Sequence, residues 1–163
     1  MKLSNLIDKT IEEMKVDLMK QAEIASTLDD DIKSFFIENP IFSRIQIQAY
    51  TPGFNDGDPC VHQQYVRFGL SVNDPRHPNF KKKDGKDDDD EDTTLDSWDL
   101  DYKLKNLSGD EHQMFQNALV LCKKLDSCKG MFYQMFNTDW ALEFYLNKDN
   151  ALVANKTDYD CGY

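Results

Sequence analysis

The densest run of side chains able to bind or react is Tyr50-Thr51-Pro52-Gly53-Phe54-Asn55-Asp56-Gly57-Asp58-Pro59-Cys60. Asn55, Asp56 and Asp58 fall close together, and such oxygen-rich clusters hold Ca²⁺ or Mg²⁺. An EF-hand loop needs further carboxylates and a closing Glu, which are missing here. The turn chemistry of the same residues is more complete. Pro52-Gly53 suits the centre of a type II turn, because Pro presets φ and Gly accepts a positive one. Asp56-Gly57 suits a second tight turn. Pro59 pushes Asp58 into an extended conformation that leads into the next strand, and the Asn and Asp side chains can tie down loop amides. The segment therefore reads first as a structured connection between strands. Asn55, Asp56 and Asp58 are candidate partner-binding residues, and neither a metal nor a cofactor is assigned to them.

Other reactive residues make weaker constellations. Cys60 and His62 lie on one side of an expected strand, and with Cys161 they would supply three ligands of a zinc site whose closed form needs four. Their spacing fits no zinc ribbon or finger. The histidines His62, His77 and His112 share no motif with Cys60, Cys122, Cys128 or Cys161, and no C-x-x-C pair occurs. In a reducing compartment these cysteines are expected as thiols, mostly small buried hydrophobes. No G-x-S-x-G, P-loop or H-E-x-x-H string is present. No catalytic residues are assigned, and binding is expected rather than catalysis.

Charge narrows the partners. The chain has 30 acidic and 19 basic residues and a formal net charge of -11. Such a surplus repels nucleic-acid phosphates and anionic membrane surfaces and suits a basic protein partner. Much of the surplus sits in Asp87, Asp88, Asp89, Asp90, Glu91 and Asp92, after a lysine cluster at Lys81, Lys82, Lys83 and Lys86. Those six acids are further candidate partner-binding residues. A nucleic-acid mimic must place charges at fixed spacing, about one per 1.7 Å of duplex axis, so a tract without fixed spacing is better suited to steering a basic partner. Met1 to Lys20 lacks an unbroken apolar core and carries Asp8, Glu12, Glu13 and Asp17. No apolar run approaches the roughly 20 residues of a membrane helix. A cytoplasmic location is expected.

The elements that must position these residues follow from periodicity. Leu3, Ile7, Ile11, Met14 and Leu18 recur at helical steps over Leu3 to Ala25. This stripe either covers a sheet or joins the chain to a partner, a second copy included. A short helix follows, capped by Thr27 and carrying Ile32, Phe35 and Phe36 up to Pro40. Ser43 to Tyr50 and Cys60 to Val72 alternate as strands. Residues 74–94 read as a flexible charged loop. Trp98, Leu100, Tyr102 and Leu104 alternate with charged neighbours as a third strand. Ser108-Gly-Asp-Glu111 is a capping box opening a long helix to about Phe136, with a possible break at Gly130. Trp140 to Leu146 and Ala151 to Asn155 form a closing hairpin. The expected fold is one α+β domain over 1–163, with a helical segment over 1–39. An antiparallel sheet of about five strands, in the order α-α-β-β-β-α-β-β, carries the long helix on one face.

The string from Tyr50 to Cys60 also resembles a segment of uncharacterised accessory proteins of tailed bacteriophages, which carry Tyr-Thr-Pro-x-Phe-Asn-Asp-Gly-Asp-Pro-Cys between two strands. The likeness covers about a dozen residues. In those proteins a helix ending in Phe-Gly-Asp leads to a C-terminal hairpin; here the corresponding place reads Phe136-Asn137-Thr138-Asp139. The resemblance implies phage origin and work inside an infected bacterium, and it implies no reaction. With the charge, it gives an expectation of a non-enzymatic protein that binds and inhibits or modulates a host protein, such as a defence or nucleic-acid-handling system. The alternatives are a nucleotide- or metal-binding protein or enzyme with its site at the 50–60 loop, and an acidic immunity protein against a basic toxin.

Overall fold

A computed structural model describes residues 2–53, 56–78, 80 and 94–161. In chain order the elements are α1 (Leu3–Ala25), α2 (Leu28–Glu38), β1 (Phe42–Tyr50), β2 (Gln63–Leu70), β3 (Thr94–Leu95), α3 (Ser97–Leu104), α4 (Gly109–Ser127), α5 (Lys129–Phe136), β4 (Trp140–Leu146) and β5 (Leu152–Asp158). The strands form one antiparallel sheet in the order β3-β2-β1-β4-β5. This is the expected α+β class, with the long helix α4 packed on one face.

Strand alternation divides the sheet chemically. Register sets Ile45, Ile47 and Ala49 beside Phe68, Val66 and Gln64 on one side and Phe144, Leu142 and Trp140 on the other. All of these except Gln64 are apolar and share one core with Ile32, Phe35 and Phe36 of α2 and Phe115, Ala118, Leu121 and Leu125 of α4. The opposite face carries the alternate residues Arg44, Gln46, Gln48 and Tyr50, then Tyr65 and Arg67, and Glu143 and Tyr145. Asn39 closes α2 and is 1% exposed. Its amide donates to the Phe35 carbonyl at 2.8 Å and accepts from Asn117 at 2.9 Å, so the buried polar group is satisfied and locks α2 to α4.

The expected strand over 98–104 is a helix. Asp96 and Asp99 form a reciprocal capping box at its start. The alternating pattern contains two i,i+4 pairs: Leu100 and Leu104 face the core, while Trp98 and Tyr102 stack outside with centroids 5.7 Å apart. The third strand is instead the two residues before the cap. The expected box at Ser108 is not made: Gly109 takes φ +63 and the Ser108 side chain makes no capping bond. Thr27 likewise makes no capping bond, its hydroxyl turning to the Ile24 carbonyl and the Asp31 carboxylate. The long helix breaks at Cys128, between α4 and α5, two residues before Gly130.

α1 does not cover the sheet. None of its residues is buried, and its C-terminal part meets α5. Gln21 holds that junction by accepting the Met131 backbone N–H.

Candidate functional site

The end of the sheet where β1 stops and β4 starts gathers most of the reactive side chains. Ala49 pairs with Trp140, and Trp140 with Asp158, so three strand ends meet there. The turn between α5 and β4 needs positive φ at Asn137 (62°) and Asp139 (61°). That turn aims Asp139 at the start of the connection after β1: the Thr51 N–H donates to Asp139 Oδ1 at 3.3 Å, and the Tyr159 N–H donates to the Asp139 carbonyl at 3.0 Å. The result is an open cleft of about 690 Å³ lined by Thr51, Gly53, Asp139, Asp158, Tyr159, Asp160 and Cys161.

Three carboxylates line this cleft, and a neutral histidine stands behind it. His62 Nδ1 lies 3.3 Å from the Thr51 hydroxyl and 3.2 Å from the Thr138 hydroxyl, which are 2.9 Å from each other. Burial, then the Lys129 charge, pushes the His62 pKa below its ordinary value, against a smaller opposite pull from Asp139. His62 therefore adds no positive charge at neutral pH and stitches the connection after β1 to the α5–β4 turn.

Tyrosines flank the cleft on the helix-free face, whereas Asp158, paired with Trp140, belongs to the row of the sheet that faces the helices. Tyr50 stacks on Tyr65 and tilts against Tyr159, with both centroid distances 5.9 Å. The Tyr65 hydroxyl bonds that of Tyr50 and, with burial, pushes the Tyr50 pKa up to about 12. Carboxylates give charge-assisted hydrogen bonds to a cationic side chain, and tyrosine faces attract it through their quadrupole. The arrangement suits capture of lysine or arginine from a partner.

A second concavity, of about 840 Å³, lies at the opposite end of β1 and β4. Phe36, Ile37, Pro40, Phe42 and Leu146 give it an apolar floor, and Arg76, His77 and Lys148 stand at its margin. Arg76 is already engaged: it bonds Asp74 at 3.1 Å and Glu143 at 2.7 Å, and its guanidinium lies 3.9 Å from the Tyr145 ring centre. It staples residues 74–78 to β4.

Of the sequence-based candidates, Asp56 and Asp58 are exposed, and Asp56 (φ 46) and Gly57 (φ 88) make the expected tight turn. Asn55, and Asp87, Asp88, Asp89, Asp90, Glu91 and Asp92, lie outside the described residues, as does most of the expected 74–94 loop. Cys60 is exposed and Cys161 lines the acidic cleft. Among the described residues no three His, Cys, Asp or Glu side chains come together to hold a metal. Sequence reading did not single out Asp139, Asp158, Tyr159 and Asp160. The acid-aromatic-acid triplet at 158–160 was the available signal, placed after a strand whose end must return to the sheet.

Among the described residues no helix is long and apolar enough to cross a membrane. Comparison of the chain with protein-family models, curated proteins and solved structures gave no match.

Proposed function

We propose that this is a non-enzymatic accessory protein of a tailed bacteriophage. It binds and inhibits or modulates a host protein in the bacterial cytoplasm, and it self-associates through α1. The cleft carries the reading: Asp139, Asp158 and Asp160 line a concavity that opens beside Tyr50, Tyr65 and Tyr159. A net charge of -11 steers a basic partner from a distance, and the carboxylates and rings fix it at contact. A basic surface of a defence or nucleic-acid-handling protein fits this chemistry, as does a basic toxin. Asp139, which closes the base of the Tyr50–Cys60 segment, joins the phage-like string to the cleft.

Affinity purification from bacterial extract tests the reading, with the wild type beside the double variant Asp158→Lys, Tyr159→Ala. Both positions are on or just after an edge strand, so the fold is expected to survive. The wild type should retain a host protein that elutes with salt and that the variant does not retain. Identical profiles from the two baits, or retention indifferent to salt, would overturn it.

A second reading, a small-ligand protein, is favoured by one observation, the apolar concavity between Phe42 and Leu146. Nucleotides that raise the melting temperature of the wild type but not of Leu146→Glu would support it.

A further inference from the structure

We infer that α1 pairs antiparallel with α1 of a second copy of this chain, with Ile11 of each opposite Met14 of the other. This deepens the self-association in the proposed function by fixing its geometry. The starting observation is a single seam with two fates. Ile7, Ile11, Met14, Leu18, Gln21 and Ala25 follow one another at steps of four, three, four, three and four, the a/d repeat of a coiled coil. The C-terminal part of the seam is docked: Ala25 packs against the core, and Gln21 bonds Met131 at 2.7 Å. The N-terminal part is bare, with Ile7 49%, Ile11 43% and Met14 57% exposed. Among the described residues these side chains stay exposed, yet the repeat continues unbroken from Ile7 to Ala25.

Charge flanking the seam chooses the occupant and the direction. With Ile11 and Leu18 at a, and Ile7 and Met14 at d, the e positions are Asp8 and Lys15, and the g positions are Thr10 and Asp17. In a parallel pair, g faces the e of the following heptad, which sets Thr10 by Lys15 and Asp17 by Ala22, with no opposite charges. In an antiparallel pair, e faces e: Asp8 meets Lys15 of the second copy, and two-fold symmetry repeats the contact. In the same register Ile11 opposes Met14 and Ile7 opposes Leu18. Lys15 now lies 3.4 Å from Glu12 and Lys9 4.0 Å from Glu13, both as exposed pairs on the same helix. Such exposed pairs are weak and exchange readily for contacts across the seam. The interface is short, so it belongs to the weak, concentration-dependent class.

Sedimentation equilibrium on the full chain over a wide concentration range reads the outcome. The wild type should move from monomer mass to dimer mass. Ile11→Glu keeps helix propensity and should hold the monomer at all concentrations with an unchanged melting temperature. Asp8→Lys should weaken the dimer at least severalfold, and Asp8→Lys with Lys15→Asp should restore it. Cysteine mapping in a Cys60→Ser, Cys161→Ser background adds direction: tagged Ile11→Cys should cross-link to untagged Met14→Cys, and Ile7→Cys should not cross-link to itself. Self-linked Ile7→Cys, or no rescue by the charge swap, overturns the antiparallel pairing while leaving self-association through α1 in place. A wild type that stays monomeric throughout, or an Ile11→Glu variant that still dimerises, overturns both. Neither result bears on the acidic cleft, whose own test is separate.

Discussion

Gln21 and Met131 are 110 positions apart, yet the Gln21 side-chain oxygen accepts the Met131 backbone N–H at 2.7 Å. Met131 is in the first turn of α5, where backbone N–H groups have no partner within their own helix. Gln21 thus caps one helix from the side of another, and α1 is moored to the domain at that point.

Gly130 allows that mooring. A Cβ there would stand 2.9 Å from the Gln21 oxygen and 3.0 Å from its nitrogen. Gly130→Ala should gain about 1 kcal/mol of helix propensity and displace the flexible Gln21 amide. The expected result is a nearly unchanged global melting temperature, with faster hydrogen exchange at the Met131 amide. Gln21→Ala should speed the same exchange and cost about 1 kcal/mol. An unchanged Met131 amide in both variants would show that the bond does not hold α1.

Asn137 occupies backbone space that suits glycine, at φ 62 and ψ -118. A residue with a Cβ held there costs of order 1–3 kcal/mol, while glycine gives back part of that gain through its freer unfolded chain. The Trp140 indole donates to the Asn137 backbone carbonyl at 3.1 Å, a bond that survives replacement of the side chain. Asn137→Gly should therefore stabilise the protein by about 1 kcal/mol, read as a raised urea midpoint with unchanged slope. Asn137→Val should destabilise it by more than that. A glycine variant less stable than the wild type would mean the Asn side chain does more than tolerate the turn.

The residues explain which parts of the fold were legible. β1 and the centre of β2 alternate because one face packs on helices, so period two was a true report of their surroundings, whereas β4 buries Trp140, Ala141 and Leu142 in succession. Residues 98–104 alternate just as cleanly and are helical. Trp98 and Tyr102 stack with each other outside the core, which gives the outer face of α3 an apolar pair that mimics a strand. The decisive local signal was Asp96-x-x-Asp99, a box with acids at both ends in place of Ser and Glu. The cleft was harder to see. Asp139 and Asp158 lie at the two ends of the β4–β5 hairpin, and what brings Thr51 to them is the pairing of β1 with β4 and the positive-φ turn at Asn137 and Asp139. The mooring of α1 was invisible for the same reason, since a glutamine within a charged helix gives no sign that it caps another.

The last prediction concerns acid. Asp74 is 6% exposed, and burial alone would raise its pKa. Hydrogen bonds from the Arg76 side chain and backbone and from the Ser43 hydroxyl outweigh burial and hold the carboxyl below its ordinary value of 3.8. A folded-state pKa lower than the unfolded one binds fewer protons in the folded chain. The resulting stability is therefore present above the unfolded pKa and is lost as pH falls through the folded one. Asp31, held low by Lys124, acts in the same direction, but its solvent exposure weakens the effect. Chemical denaturation from neutral pH downward should show a plateau and then a fall beginning near pH 4. Asp74→Asn should lower the plateau by about 1–3 kcal/mol, the cost of breaking a buried charge-assisted set of bonds, and should flatten the acid limb. If the variant keeps the wild-type slope below pH 4, the acid sensitivity resides elsewhere, and the Arg76 staple contributes packing over Tyr145 rather than charge.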